Sequence, residues 1–271
     1  MHNMRKYLYI SLTAVSLALT SCGEYQRILK STDNEAKLEY AKRAFDEKKY
    51  TNAATVLTDI VTQFKGTKNA EESLYLLALS LYENKDYENS SAYFRTYYTR
   101  YPKGTYTEMA RFYCGYGFYL DSPEPQLDQS GTIKAIEELQ SFIDHFPKSD
   151  QIPVAQNAIF ELQDKLTLKE LQNAQLYYNL GNYLGNNYAS AIIVAQNAIK
   201  NYPYSRYKEG LELLILKSRY QEALNSIDER KADRFRDVVD EYYSFINNYP
   251  ETNNRKEADN IFKIAEKYIE Q

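Results

Sequence analysis

The chain has 271 residues, 44% of them hydrophobic and 26% charged, with a formal net charge of -4. Such a composition excludes a disordered chain, and the slightly acidic balance excludes a protein built to grip a nucleic-acid backbone, which needs a clustered positive field. Two cysteines, Cys22 and Cys114, exclude a disulfide scaffold. Seven prolines and nine glycines leave little room for long linkers. The 28 tyrosines, beside no tryptophan, suit helix packing and binding surfaces alike, because the ring is apolar and its tip polar.

The first element is a leader. Arg5 and Lys6 precede the uncharged run YLYISLTAVSLAL at 7–19, too short for a stable bilayer span but right for the apolar region of a signal peptide. Leu19-Thr20-Ser21-Cys22 follows and resembles a bacterial lipobox. Residues 1–21 are therefore expected to be removed, and Cys22 to carry the acyl chains that hold the mature chain to a membrane. Gly23 after the cysteine resembles a signal for outer-membrane rather than inner-membrane residence. Residues 22–32 then read as the lipidated N-terminus and a tether. No other run approaches eighteen apolar residues, so the body is expected in water.

Beyond the tether the same punctuation recurs at Gln63-Phe64, Tyr101-Pro102, Phe146-Pro147, Tyr202-Pro203 and Tyr249-Pro250. Fourteen residues before each aromatic residue stand Tyr50, Tyr87, Thr132, Tyr188 and Phe235. Three residues later come Ala53, Ser90, Ala135, Ala191 and Val238; seven later, Leu57, Phe94, Leu139, Ala195 and Tyr242; ten later, Ile60, Tyr97, Phe142, Ala198 and Phe245. Spacings of 3, 7, 10 and 14 trace one face of an α-helix. The small residue in the first of these columns admits a close neighbour, and proline ends the helix.

Each of these helices has a partner upstream, at 34–48, 69–84, 105–120, 153–182 and 205–221. The first two units lie 37 residues apart, close to the roughly 34-residue tetratricopeptide hairpin. A hairpin of this kind cannot bury its apolar face alone, so the units must stack. The predicted fold is all-α: a right-handed solenoid of about five tetratricopeptide-like hairpins. The expected division is 33–169, holding units one to three and the start of the long fourth-unit helix region, and 170–271. Later spacings stretch to 45, 56 and 47 residues. A loop, DSPEPQLDQSG at 121–131, accounts for the first. The second reflects 153–182, one long helix or two broken near Lys165-Thr167. The third falls at SIDERKADR, 226–234, a helical extension or a polar turn. NRKEADNIFKIAEKYIE at 254–270 places Ala258, Ile261, Phe262, Ala265 and Ile269 on one side and reads as a capping helix.

Chemistry for catalysis is sparse. His2 lies in the leader, and His145 near a helix end reads as structural. Cys114, in RFYCGYGFY, reads as a packed thiol. Glu71-Glu72 and Glu137-Glu138 read as solvated helix faces. No metal-ligand spacing and no phosphate-binding glycine motif stands in the sequence. Neither an enzyme nor a cofactor is expected. What remains is surface: a groove lined by first helices, with Phe45, Tyr75, Leu79, Tyr82, Tyr106, Met109, Tyr113 and Tyr116 as anchors for a peptide.

The lipobox, the short tether and the divergent repeats together resemble the BamD family of outer-membrane assembly lipoproteins. The more specific likeness lies in ARFYCGYGFYLDSPEPQLDQSGTIKAIEELQSFIDHFPKSD at 110–150 and NAQLYYNLGNYLGNNYASAI at 173–192, and the wealth of Asn, Tyr and Lys resembles the Bacteroidetes branch. The resemblance implies a periplasm-facing, non-catalytic subunit of the β-barrel assembly machinery. Its C-terminal units would bind the periplasmic part of the barrel-forming subunit, and its N-terminal units would meet unfolded outer-membrane proteins. Accessory lipoproteins are further partners of that family. Proteobacterial members place an arginine in the second helix of the fourth unit; the matching position falls in Ile192-Ile193-Val194, and Val194 is taken as the contact, with Arg206, Lys208 and Arg219 beside it. The competing reading is another envelope repeat lipoprotein, a cell-division coordinator or a nutrient-uptake protein. Uptake lipoproteins are usually longer, with ligand-binding inserts for which this chain has no room.

Overall fold

The three inner columns of the repeat turn inward. In the computed structural model, which describes residues 23–269, Ala53, Ser90, Ala135, Ala191 and Val238 are all buried. So are Leu57, Phe94, Leu139, Ala195 and Tyr242, and with them Ile60, Tyr97, Phe142, Ala198 and Phe245. The described residues form helices and turns without a strand. A helix over 23–29 (α1) precedes α2 (Asn34–Asp46), α3 (Tyr50–Ile60), α4 (Ala70–Glu83), α5 (Tyr87–Arg100), α6 (Thr107–Leu120), α7 (Ser130–His145), α8 (Ile152–Leu180), α9 (Asn187–Asn201), α10 (Lys208–Leu224), α11 (Asp228–Asn248) and α12 (Arg255–Ile269). Two compact units share them: one reaches Asp121 and adds Lys134–Gln156, and the other holds Ser122–Ile133 and the chain from Asn157.

In the first unit α2 to α6 each pack on the next, and the leading helices of successive hairpins also touch, α2 on α4 and α4 on α6. In the second, α9, α10, α11 and α12 follow the same rule, with α10 on α12. That is the packing of tetratricopeptide-like hairpins.

Two kinds of turn create the repeat. After the leading helix, Lys48 and Lys85 take left-handed φ of 60° and 63°. The next N–H then reaches back across the helix end, Lys49 N to Ala44 O at 2.8 Å and Asp86 N to Leu81 O at 2.9 Å. These bonds satisfy carbonyls that the helix end leaves open. After the second helix, a turn closes from the aromatic carbonyl to the N–H three residues on. Thr67 bonds Phe64 at 2.8 Å, Gly104 bonds Tyr101 at 3.0 Å, Ser149 bonds Phe146 at 3.0 Å, and Ser205 and Thr252 bond Tyr202 and Tyr249 at 3.2 Å. Where that residue is Ser or Thr, its hydroxyl accepts from the N–H two residues further: Asn69 at 3.3 Å, Gln151 at 3.2 Å, Tyr207 at 3.3 Å and Asn254 at 3.0 Å.

A carboxylate of the leading helix, in the first turn of α2, α4 and α10 but midway along α8, then holds the turn that follows its own hairpin. Glu35 accepts from the Asn69 amide at 2.8 Å, and Glu71 from Thr105 N at 2.6 Å and from the Tyr97 hydroxyl. Asp164 accepts from the Ser205 hydroxyl at 2.6 Å and Arg206 N at 3.1 Å, and Glu209 from the Thr252 hydroxyl. Glu71 is thus a partly buried clamp rather than a solvated face.

Three ambiguous segments resolve. Residues 152–180 form one continuous helix, and 228–234 extend α11 by two turns. Residues 23–29, expected as tether, form a helix whose Tyr25, Ile28 and Leu29 pack on the core of the first hairpin. The loop after α6 and the length of α8 are one feature: Lys165 Nζ donates to the Ser122 carbonyl at 3.0 Å and hydroxyl at 2.7 Å, and Lys169 Nζ to the Leu127 carbonyl at 2.7 Å. The long helix supplies the donors that an inserted loop lacks.

Candidate functional site

In the first unit the expected groove tyrosines form one stacked wall. The Tyr75 and Tyr106 rings lie parallel with centroids 4.3 Å apart, Tyr82 meets Tyr113 at 4.8 Å, and Tyr113 stacks on Phe94 at 5.5 Å. Phe112 continues the wall to Tyr116 at 5.2 Å. Leu79 and Met109 are half-buried on the same helices, α4 and α6. Phe45 stands apart, edge-on to Tyr50 at 5.3 Å and packed on the core of its own hairpin. The structure therefore joins Tyr75, Tyr82, Tyr106, Tyr113 and Tyr116 and leaves Phe45 out. Burial among the rings pushes the Tyr75 and Tyr82 hydroxyls well above the ordinary tyrosine range.

Behind this wall lies a polar cluster. Glu138 pairs with Arg95, accepts from the Tyr98 hydroxyl at 2.8 Å, and stands 3.7 Å from the Cys114 sulfur. Its side chain is largely buried, so Glu138 joins α5, α6 and α7 instead of facing water. The Cys114 thiol, fully buried, donates to the Ser91 carbonyl at 3.4 Å. Burial first, and Glu138 second, push its pKa up to about 12. A thiol so held is inert. His145 is exposed, its Nδ1 2.7 Å from the Ser141 carbonyl. Among the described residues no group of three or more His, Cys, Asp or Glu is placed to hold a metal.

In the second unit the expected partner residues are differently disposed. Val194 is half-buried, packed against the core cluster that holds Ala174, Ile192, Ala195 and Leu211. Its neighbour Ile193 is the outward residue, 57% exposed. One helical step separates them, and the Ala191–Ala195–Ala198 seam turns Val194 toward the core. The basic residues are already engaged. Arg206 Nε lies 3.0 Å from Asp164, Lys208 Nζ 3.7 Å from Glu212, and Arg219 Nε 2.8 Å from Glu241. Arg206 and Lys208 share the lining of one shallow pocket with Tyr204; Arg219 is not part of it.

Sequence reasoning missed a stronger feature of this unit. Between Glu170 and Lys200 there is no Asp, Glu, Lys, Arg or His, and that stretch covers the last part of α8, the turn and nearly all of α9, the tip of their hairpin. It carries Leu176, Tyr177, Leu180 and Ile193 in water, and at its tip Tyr183 and Leu184, 68% and 91% exposed. Leu184 sits at a left-handed φ of 56°, a conformation costing a leucine on the order of 1–2 kcal/mol. The signal was readable: a long charge-free run in a chain that is one-quarter charged.

Stacked hairpins that present aromatic and apolar side chains define the class, a tetratricopeptide-like repeat protein. Residues 31–225 match the model of the YfiO family, described as outer membrane lipoprotein. The match spans most of the chain, which therefore belongs to that family, and membership implies a place in the cell envelope. Comparison with curated proteins gave no match. No helix of the described residues is long and apolar enough to cross a membrane. Cys22, the expected lipid-bearing residue, lies outside the described residues.

Proposed function

We propose that this protein is a non-catalytic scaffold of the machinery that assembles β-barrel proteins into the outer membrane, anchored through acyl chains on Cys22 with its body in the periplasm. The observation that carries the reading is the match of residues 31–225 to an outer membrane lipoprotein family. Two surfaces divide the work. The aromatic wall of the first unit receives unfolded outer-membrane proteins: Tyr75, Tyr82, Tyr106, Tyr113 and Tyr116 offer flat apolar faces at low entropic cost, with Leu79 and Met109 between them. Phe45 belongs to the same end of the chain but contributes through packing.

The second unit holds the periplasmic part of the barrel-forming subunit through the charge-free hairpin. An uncharged patch can be covered without stranding a buried charge. The strained, exposed Leu184 supports this role, since strain kept at a surface tip does nothing for folding. Ile193 takes the place that Val194 held in the sequence reading. Arg206, Lys208 and Arg219, each already paired, serve at most as a polar rim.

Copurification tests the reading. The native lipoprotein, isolated from detergent-solubilised envelopes, should bring with it a barrel protein bearing repeated periplasmic domains. Recovery of the folded lipoprotein with no such barrel would overturn it.

A further inference from the structure

The second unit holds a pocket of about 480 Å³ that neither surface uses, within the size range of small-ligand sites. Three helices build it: α8 supplies Tyr178, α10 Tyr220, and α12 Ile264, and these form its apolar floor. Gln221, Asn253 and Asn260 stand around the floor. A primary amide both donates and accepts, which matches the alternating N–H and C=O groups of an extended main chain.

The charges are unequal. Lys217 Nζ lies 2.8 Å from Glu257 and 5.6 Å from the Tyr178 ring centroid, so its charge is met within the pocket. Lys256, also in the lining, makes no ion pair with any described residue. The pocket is left with one surplus positive charge at the edge of an apolar floor.

We propose that this pocket docks an extended peptide segment of another protein, one with an aliphatic side chain next to an acidic one. The aliphatic group lies on Tyr178, Tyr220 and Ile264, the carboxylate meets Lys256, and the amides pair with the main chain. The surplus cation favours an acidic segment over a neutral glycan, which would leave Lys256 unused.

The test uses the full-length protein in detergent micelles and a rhodamine-labelled, capped peptide, Gly-Ser-Leu-Asp-Leu-Ser-Gly amide, followed by fluorescence anisotropy. Saturable binding is expected, at least about tenfold weaker when the peptide's Asp becomes Asn and similarly weaker for Lys256→Glu. Lys256→Glu should in turn gain binding to the peptide carrying Lys instead of Asp. Ile264→Asp should weaken every peptide. Both protein positions are exposed, so unchanged thermal unfolding certifies the fold. No saturable binding by the wild-type protein, or binding indifferent to Lys256→Glu, would overturn the proposal, as would equal binding of a neutral oligosaccharide. The site shares only Tyr178 with the charge-free stretch proposed for the barrel-forming subunit, and Lys256 lies outside that stretch, so copurification of the barrel by Lys256→Glu separates failure here from failure of the scaffold reading.

Discussion

The two units treat apolar surface in opposite ways. In the first, Tyr75, Tyr106, Tyr82 and Tyr113 lie against one another, and behind them Glu138 ties Arg95 and Tyr98 into the packing. In the second, Leu176, Tyr183, Leu184 and Ile193 stand in water on a hairpin tip that has no charge between Glu170 and Lys200. One surface is held by its own neighbours, with each tyrosine only partly open to water; the other stands largely bare. The difference teaches that a run of tyrosines in the sequence does not mean bare aromatic surface, whereas a charge-free run in a charged chain coincides here with exposed aliphatics.

The strongest way to break this comparison is through glycine. At Gly115 an added Cβ would meet the backbone N of Leu139 at 2.9 Å, so α6 and α7 approach only because no side chain intervenes. Gly115→Val should cost about 3 kcal/mol or more. Thiol labelling of Cys114, buried beside it, should rise with the loss. At Gly210 of the second unit the nearest atom would be Leu171 Cδ2 at 3.5 Å, an ordinary contact. There Gly→Ala should be neutral or stabilise by up to about 1 kcal/mol in denaturant unfolding.

Adjacent substitutions on α9 sharpen the second unit's side of the contrast. Val194→Asp puts a charge against the core cluster of the α8–α10 packing and should destabilise by roughly 2–3 kcal/mol. Ile193→Asp should leave stability within about 0.5 kcal/mol while releasing the barrel-forming subunit in copurification. Equal stability losses at both positions would mean that the outward face is wrongly assigned.

Alkaline pH probes the first unit. Burial raises the Tyr75, Tyr82 and Tyr98 hydroxyls above the ordinary value, so the unfolded chain loses these protons first. Their contribution is complete below about pH 10 and is lost as pH climbs beyond it. Hydrogen exchange should therefore be flat in opening free energy to about pH 10, with α4 to α6 opening earliest above it. The smallest expected effect is at Lys85, whose φ of 63° suits glycine. Lys85→Gly should stabilise by about 0.5 kcal/mol, net of the greater freedom of unfolded glycine.

The repeat was legible because burial is periodic: Ala53, Leu57 and Ile60 recur in register through Val238, Tyr242 and Phe245. The site was less so. Heptad-like spacing says which face of α9 is apolar, but Val194 and Ile193 differ by one step, and only packing against the neighbouring core cluster decides between them. Glu71 and Glu138 looked solvated because their partners are distant in sequence, Thr105 in the turn before α6 and Arg95 on α5. Arg206 and Arg219 looked available for the same reason, since Asp164 and Glu241 lie on α8 and α11, whereas the Lys208–Glu212 pair is one helical turn apart and was open to view. Long-range pairing leaves no local trace.

Photocrosslinking in intact cells tests the division of labour most directly. A benzophenone side chain at Met109, beside the aromatic wall, should capture unfolded outer-membrane proteins during their synthesis, and one at Ile193 should capture the barrel-forming subunit. If Met109 captured the folded barrel subunit while Ile193 captured nothing, the two surfaces would have been assigned the wrong way round.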